Sequence, residues 1–295
     1  MPASSNPNPA VSPLSPRGEQ LMAAETLSSA IVDDVIRGEC GDPFAVLGPH
    51  AFREGRQNGL AIRAFLPQAN RVTVIPGDPA VPAQPMAPLH PAGLFEAQFF
   101  DRAEPFAYQL EVRDGGGTSR RCEDAYRFPS TLSDFDLHLL AEGTHYRAYE
   151  KLGAHLATVD GVAGVRFAVW APNARRVSVV GEWNGWDGRV HAMRLHPANG
   201  LWEIFIPGIG TNVLYKYEIL SKTPGPVVLK SDPVAFSFEL ATPPTASVVT
   251  DLNYAWGDAE WMAGRAARAR WTPRSPSTKS IWARGCGFRR KAIAL

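Results

Sequence analysis

The chain has few cysteines, little net charge and no long apolar run, and each shortage excludes a class of protein. Its three cysteines are widely spaced among 295 residues, so a disulfide framework and a zinc knuckle are excluded and a reducing, cytoplasmic location is expected. A net charge of +1 gives no electrostatic reason to expect nucleic acid or an anionic membrane as a partner. No stretch approaches the roughly 20 apolar residues of a membrane span.

Helical periodicity is scarce as well. Residues 1–26 are rich in Pro, Ser and Ala and are predicted to be a disordered lead-in, without the pattern of a secretory signal. One amphipathic helix is predicted over 21–37 with Gly38 as its stop, and a helix or linker over 256–270. Between them, short alternating apolar runs are broken by Gly, Pro, Asn and Asp, which is typical of antiparallel sandwiches.

An internal repeat sets the expected architecture. Aligned segments keep the same order along the chain, and their offset stays between 105 and 108 residues. The aligned pairs are 62–75 with 167–180, 93–99 with 200–206, 108–112 with 215–219, and Asp124 with Asp232. The predicted fold is therefore all-β, with two tandem immunoglobulin-like β-sandwiches, a short N-terminal helix and the disordered lead-in.

The repeat also suggests domain boundaries. We expect the lead-in over 1–26, a first β-sandwich over 27–135, a second over 136–253, and a linker and tail over 254–295. Alternation along the strands assigns their faces, because successive side chains of a strand point to opposite sides. In the segment 215–219 the two tyrosines and the isoleucine form the core face, while the lysine and the glutamate point outward.

The second copy alone carries an aromatic turn, GEWNGWDG at 181–188, where the first copy has PGDPAVPAQP. Sugar rings have apolar faces and a rim of hydroxyls, so a sugar site needs an exposed aromatic plane beside a few polar groups. Four residues offer this combination and are expected on neighbouring strands: Trp186, Asn184, Lys216 and Trp202. The alternative interpretation places Trp183 and Trp202 in the core.

Other chemistry is not indicated. The histidines 138, 145 and 155 are not spaced like zinc ligands and have no cysteine near them. The carboxylates of Glu142, Asp160, Asp187 and Asp232 are isolated in the sequence, whereas a glycosidase needs two held across a cleft. We therefore predict no catalytic residue, no metal and no cofactor in this chain.

Several long motifs resemble one protein family. GDPFAVLGPH at 41–50 resembles the opening of the N-terminal domain of bacterial 1,4-α-glucan (glycogen) branching enzymes, and EGTHYRAYEKLGAH at 142–155 resembles their connector to the next domain. The segments 165–188, 200–208 and 230–236 resemble their family 48 carbohydrate-binding module. A further likeness, at 254–265, is to the segment that leads from that module to the catalytic barrel of these family 13 glycoside hydrolases.

The resemblance implies a glucan-binding region without the catalytic barrel. Residues 280–290 resemble the family's first barrel strand only weakly. A barrel needs roughly 250 residues, so the chain is expected to be inactive alone. The gene is expected to be truncated or frameshifted. By the same resemblance Trp186 and Lys216 fall on glucan-binding positions, with Asn184 in the same turn. A further tryptophan of related modules is missing from SKTPGPVV at 221–228.

Three functions are compatible with the sequence. The first is the non-catalytic N-terminal part of a branching enzyme, which binds and positions α-glucan. The others are a stand-alone glycogen-binding scaffold, and a binding-module segment of a debranching or trehalose-forming relative. In each case the expected partner is an α-glucan, glycogen or a maltooligosaccharide, and the expected state is a monomer in the cytoplasm without nucleic acid or membrane.

Overall fold

The computed structural model describes residues 27–100, 102–240, 245–253 and 255–268. Its contacts divide the chain into two units, Met1–Asp251 and Leu252–Leu295. The predicted lead-in and the segment 280–290, which resembles a barrel strand, lie outside the described residues. All the strands described below belong to the first unit.

Three helices are described: α1 (Ser29–Arg37), α2 (Asp134–Glu142) and, in the second unit, α3 (Ala259–Arg268). The stop at Gly38 is confirmed, because this glycine adopts the left-handed conformation that ends α1. The helix begins after Ser28, whose hydroxyl accepts a hydrogen bond from the backbone N–H of Ile31, while residues 21–26 of the predicted helix lie outside the described ranges. None of these described helices is long and apolar enough to cross a membrane.

The first sandwich consists of two antiparallel sheets. Their strands are β1 (Gly48–Glu54), β2 (Gln57–Phe65), β3 (Ala69–Pro76), β4 (Gln84–Pro85), β5 (Ala87–His90), β6 (Leu94–Phe100), β7 (Tyr108–Asp114) and β8 (Ser119–Glu123). One sheet has the order β1-β2-β6-β5 and the other β4-β3-β7-β8. Inward residues of both sheets, such as Ile62 and Val74, share one core, as alternating strands require.

The second sandwich repeats this plan. Its strands are β9 (Gly153–Val159), β10 (Val162–Trp170), β11 (Ala174–Gly181), β12 (Arg194–His196), β13 (Leu201–Pro207), β14 (Leu214–Ser221), β15 (Val228–Lys230) and β16 (Ser247–Val248). One sheet has the order β12-β13-β10-β9, and the other has β11-β14-β15 with β16 also paired to β14. The predicted all-β architecture of two tandem sandwiches is confirmed.

Backbone details confirm that the two sandwiches are copies. The pairing of β3 with β7 shifts register between Ala69 and Arg71, and that of β11 with β14 shifts between Ala174 and Arg176, exactly 105 residues later in each case. Such bulges bend a strand and increase its twist. The same local distortion therefore occurs at equivalent places in both copies.

A buried tyrosine–aspartate hydrogen bond also occurs in each copy. The hydroxyl of Tyr108 donates to Asp124 at 2.6 Å, and the hydroxyl of Tyr215 donates to Asp232 at 2.7 Å. In the second copy Tyr217 donates to the same carboxylate oxygen at 3.1 Å. These aspartates thus accept the phenolic hydrogens that would otherwise be buried without partners.

The predicted alternation of β14 is confirmed. Tyr215 and Tyr217 are fully buried in the core, and Lys216 between them lies on the outer face of the sheet.

The two sandwiches also touch directly, since the hydroxyl of Tyr126 donates to the carbonyl of Val190 and accepts from the backbone N–H of Ala192, both at 3.0 Å. This contact fixes the chain just after the aromatic turn of the second copy.

Candidate functional site

The aromatic turn after β11 is organised by the buried side chain of Asn184. Its Oδ1 accepts the backbone N–H of Gly181 at 3.0 Å, and its Nδ2 donates to the carbonyl of Val179 at 2.9 Å. The same Nδ2 lies 3.0 Å from Nδ1 of His191, which therefore acts as an acceptor. Asn184 holds the turn together and faces the protein rather than a ligand.

Trp183 closes the inner side of the turn. Its ring stacks on Phe167 with centroids 6.2 Å apart and an interplanar angle of 19°, and it packs against the core of the second sandwich. A Cβ atom at Gly181 would collide with this ring, so glycine is required where the strand passes beneath it. Trp183 is therefore part of the packing that supports the turn.

Trp186 has the opposite character. Its backbone adopts a left-handed conformation with φ of 60°, which is rare for a bulky residue and costs roughly 1–2 kcal/mol. The backbone N–H of Trp186 donates to the carbonyl of Gly181 at 2.9 Å and so holds this conformation, while 38% of the residue stays exposed. Strain kept at an exposed aromatic residue suggests a role other than packing.

A cleft of about 250 Å³ lies beside this ring, on the outer face of the sheet that contains β14. Lys216 lines it from the middle of β14, directly opposite Val180 of β11 in the strand pairing. Leu214 and Leu229 contribute apolar side chains to the wall of the cleft. The structure thus brings together two of the four predicted residues, Trp186 and Lys216.

Glu239 completes the cleft with a fixed carboxylate. Its Oε1 accepts three hydrogen bonds, from the backbone N–H of Thr245 at 2.9 Å, its hydroxyl at 2.8 Å and the backbone N–H of Ala246 at 2.9 Å. The hydrogen bonds from Thr245 lower the pKa of Glu239, with a smaller contribution from the charge of Lys216, so the group is a carboxylate at neutral pH. Its Oε2 can accept a hydrogen bond from a ligand.

Glu239 was not predicted from the sequence, and no local pattern marks it. It reaches the cleft through pairing between distant segments, because Phe238 forms an isolated bridge with Ser247, which in turn pairs with Tyr215 of β14. Only the tertiary structure shows that a residue 23 positions beyond Lys216 lines the same cleft.

Trp202 does not belong to this cleft. It is fully buried in the core of the second sandwich, and its Nε1 donates to the carbonyl of Ala171 at 3.0 Å. The expectation that Trp202 and Lys216 occupy neighbouring strands is wrong, since β13 and β14 belong to opposite sheets. A residue without exposed surface offers no ring face to a sugar, so the alternative interpretation of Trp202 as a core residue fits the structure.

Two of the isolated carboxylates have structural partners. Asp187 pairs with Arg189 at 2.7 Å, and the hydrogen bonds from that guanidinium lower the pKa of the aspartate. Asp232 is buried beneath the two tyrosines of β14, and its pKa is raised by burial. Neither carboxylate is exposed in a cleft with a second one, as paired acid–base chemistry would need.

Tandem sandwiches with an aromatic and charged cleft on the outer face of one copy form a class of β-protein whose surface suits a carbohydrate. Comparison with protein families agrees with this class. Residues 28–126 match the model for the N-terminal domain of the alpha-1,4-glucan branching enzyme GlgB, and residues 151–235 match that for carbohydrate-binding module 48, the isoamylase N-terminal domain. The chain is thus homologous to the N-terminal region of 1,4-α-glucan branching enzymes.

Individual relatives carry the same name. The 1,4-alpha-glucan branching enzyme GlgB of Paramagnetospirillum magneticum is 51% identical over 254 residues, which cover 85% of this chain and 33% of the relative. That of Thermosynechococcus vestitus is 48% identical over 246 residues, covering 81% and 31%. The chain therefore spans about a third of the length of these relatives.

Solved structures give a weaker likeness. A ligand-free PulA from Klebsiella pneumoniae matches at 17% identity with a TM-score of 0.30, covering 71% of this chain and 22% of that one. A likeness at this level carries no information about the cleft.

Proposed function

We propose that the chain binds α-1,4-linked glucan through the cleft beside Trp186 and serves as the non-catalytic, glucan-positioning region of a 1,4-α-glucan branching enzyme in cytoplasmic glycogen synthesis. The observation that carries this proposal is the strained, exposed ring of Trp186 next to Lys216, on a module whose family binds carbohydrate. The names of the relatives supply the glucan and the reaction.

The chemistry of the cleft suits a pyranose ring. The face of Trp186 can stack against the apolar C–H groups of one sugar ring, a contact for which the stacking of aromatic rings, worth about 0.5–1.5 kcal/mol beyond buried area, gives the scale. Lys216 can donate to hydroxyl or ring oxygens, and Oε2 of Glu239 can accept from a hydroxyl. A donor and an acceptor beside one aromatic plane would fix the orientation of a glucosyl unit.

Positioning is the contribution we assign to this binding. A glucan held on the outer face of the second sandwich stays close to whatever reaction centre the longer relatives carry in their remaining two thirds. Each binding event then raises the effective concentration of the polysaccharide chain near that centre. Under this proposal the cleft affects which chains react and how often, but takes no part in breaking or forming a glycosidic bond.

The proposal predicts that Lys216→Met weakens retention on glycogen. A hydrogen bond to a charged group contributes about 1.5–3 kcal/mol when buried, and an exposed one less, so we expect the apparent affinity to fall roughly three- to tenfold. Electrophoresis through gels of increasing glycogen content measures this change directly.

Lys230→Met is the matched control. It removes the same charge from β15, the next strand of the same sheet, and Lys230 is exposed but does not line the cleft. We expect its retention to equal that of the wild type. Equal losses in both variants would show a nonspecific charge effect and contradict the proposed site.

A further inference from the structure

A larger cleft, of about 620 Å³, lies elsewhere on the second sandwich. It is formed where the end of α2 approaches the turn between β12 and β13, and its volume falls within the range of roughly 300–1,000 Å³ that is usual for small-ligand sites. Its lining includes Trp170, Glu142, Asn199 and Lys222.

Trp170 presents its ring in this cleft. It is the last residue of β10 and is 63% exposed, although its neighbour Val169 is buried in the core. Its Nε1 donates to the carbonyl of Asn199 at 3.0 Å, and the side chain of Asn199 donates in turn to the carbonyl of Leu137 within α2. These bonds hold the indole in one orientation while leaving most of its surface open.

Polar groups surround the ring. Nζ of Lys222 donates to the carbonyl of Pro172 at 2.8 Å, which uses one of its three hydrogens and leaves two for a ligand. The carboxylate of Glu142, at the end of α2, is 53% exposed. An aromatic face with an ammonium group and a carboxylate beside it is the same combination of groups as in the cleft of Trp186, Lys216 and Glu239.

The first sandwich shows that the fold can cover this position. The residue equivalent to Trp170, 105 positions earlier, is Phe65, which is only 3% exposed. It is buried in a cluster with Val35 of α1 and with Leu47 and Tyr126. The second copy has the larger aromatic residue at the same place and leaves it open, so packing within the fold does not account for the tryptophan.

We propose that the cleft around Trp170 is a second α-glucan site, and this inference takes its ligand class from the proposed function. Trp170 lies on the outer face of the sheet β12-β13-β10-β9, whereas Lys216 lies on the outer face of the opposite sheet. The two clefts share no lining residue, so a short oligosaccharide fills only one of them at a time. Separate outer chains of one glycogen particle can occupy both, which raises retention without any new contact.

The test is a titration of the full chain with maltoheptaose, followed by fluorine NMR after incorporation of 5-fluorotryptophan. Each of the eight tryptophans gives its own resonance, and Trp170→Phe and Trp186→Phe assign the two that matter. We expect both resonances to shift saturably, and the Trp170 curve to be unchanged in Trp186→Gly. The exposed Trp261 of α3 serves as the internal control and cellotetraose as the β-linked control, and neither should show a response.

The outcomes separate the two claims. A Trp170 resonance that stays fixed while that of Trp186 saturates overturns the second site and leaves the first intact. The reverse pattern supports the second site and contradicts the proposed function of the Trp186 cleft. Equal shifts of Trp261, or equal shifts with cellotetraose, overturn the second site because they show unspecific association.

Discussion

Trp186→Gly is expected to weaken the binding of maltoheptaose in the cleft beside Trp186 at least tenfold, while the melting temperature stays within about 3 °C of the wild-type value. The loss of binding follows from removal of the stacking plane, since about 1.4 kcal/mol corresponds to a factor of ten in affinity. The small change in stability follows from compensation. Glycine relieves the left-handed strain at φ of 60° but gives up the buried part of the ring. Calorimetry measures both quantities.

Trp186→Ala is the control that separates strain from stacking. Alanine also lacks the ring, so its affinity should match that of the glycine variant, but its Cβ keeps the left-handed penalty. We therefore expect the alanine variant to be less stable than the glycine variant by about 1 kcal/mol. A glycine variant that unfolds many degrees earlier than the alanine variant, or that binds as tightly as the wild type, would contradict this account of Trp186.

The second large effect concerns pH. Burial lowers the pKa of His191 from 6.5 to about 4, and its Nδ1 faces the amide Nδ2 of Asn184, which cannot accept a proton from an imidazolium. The unfolded chain therefore takes up this proton at a higher pH than the folded one. The contribution of the neutral imidazole to stability is complete above about pH 6.5 and is lost as the pH falls toward 4. The free energy of unfolding should therefore fall by on the order of 1–2 kcal/mol between pH 7.5 and pH 5.

Urea unfolding at the two pH values measures this loss, and His191→Gln isolates it. The burial of His50 and His155 lowers their pKa values as well, so part of the wild-type pH dependence belongs to them. Glutamine cannot titrate but can still accept a hydrogen bond from Asn184. The variant should therefore lose only the part of the pH dependence of stability that is due to His191. An unchanged pH dependence in this variant, or an NMR titration that places the pKa of His191 near 6.5, would rule out a half-buried imidazole that stays neutral.

The architecture could be predicted from the sequence because it is periodic. Alternation placed Tyr215 and Tyr217 inside and Lys216 outside, and the internal repeat predicted two equivalent sandwiches. Both signals depend on residues close together in the sequence or on a constant offset. The stop of α1 at Gly38 was predictable from the residue type, since glycine readily adopts the left-handed conformation that ends a helix.

The site was less predictable because its residues meet through sheet packing. Trp202 and Lys216 were expected together, but the connection from β13 to β14 crosses from one sheet to the other. The side-chain amide of Asn184 is of a type that can bind sugar hydroxyls. Backbone groups within its reach take up its hydrogen bonds instead. Glu239 lies in the cleft because its neighbour Phe238 forms an isolated bridge with Ser247, and no local sequence pattern predicts that bridge.

A crystal structure of the chain with maltoheptaose tests the central claim most directly. The account predicts a glucosyl ring stacked on Trp186, with hydroxyl groups within hydrogen-bonding distance of Nζ of Lys216 and Oε2 of Glu239. An oligosaccharide bound elsewhere on the second sandwich, with the ring of Trp186 bare at saturating maltoheptaose, would contradict it.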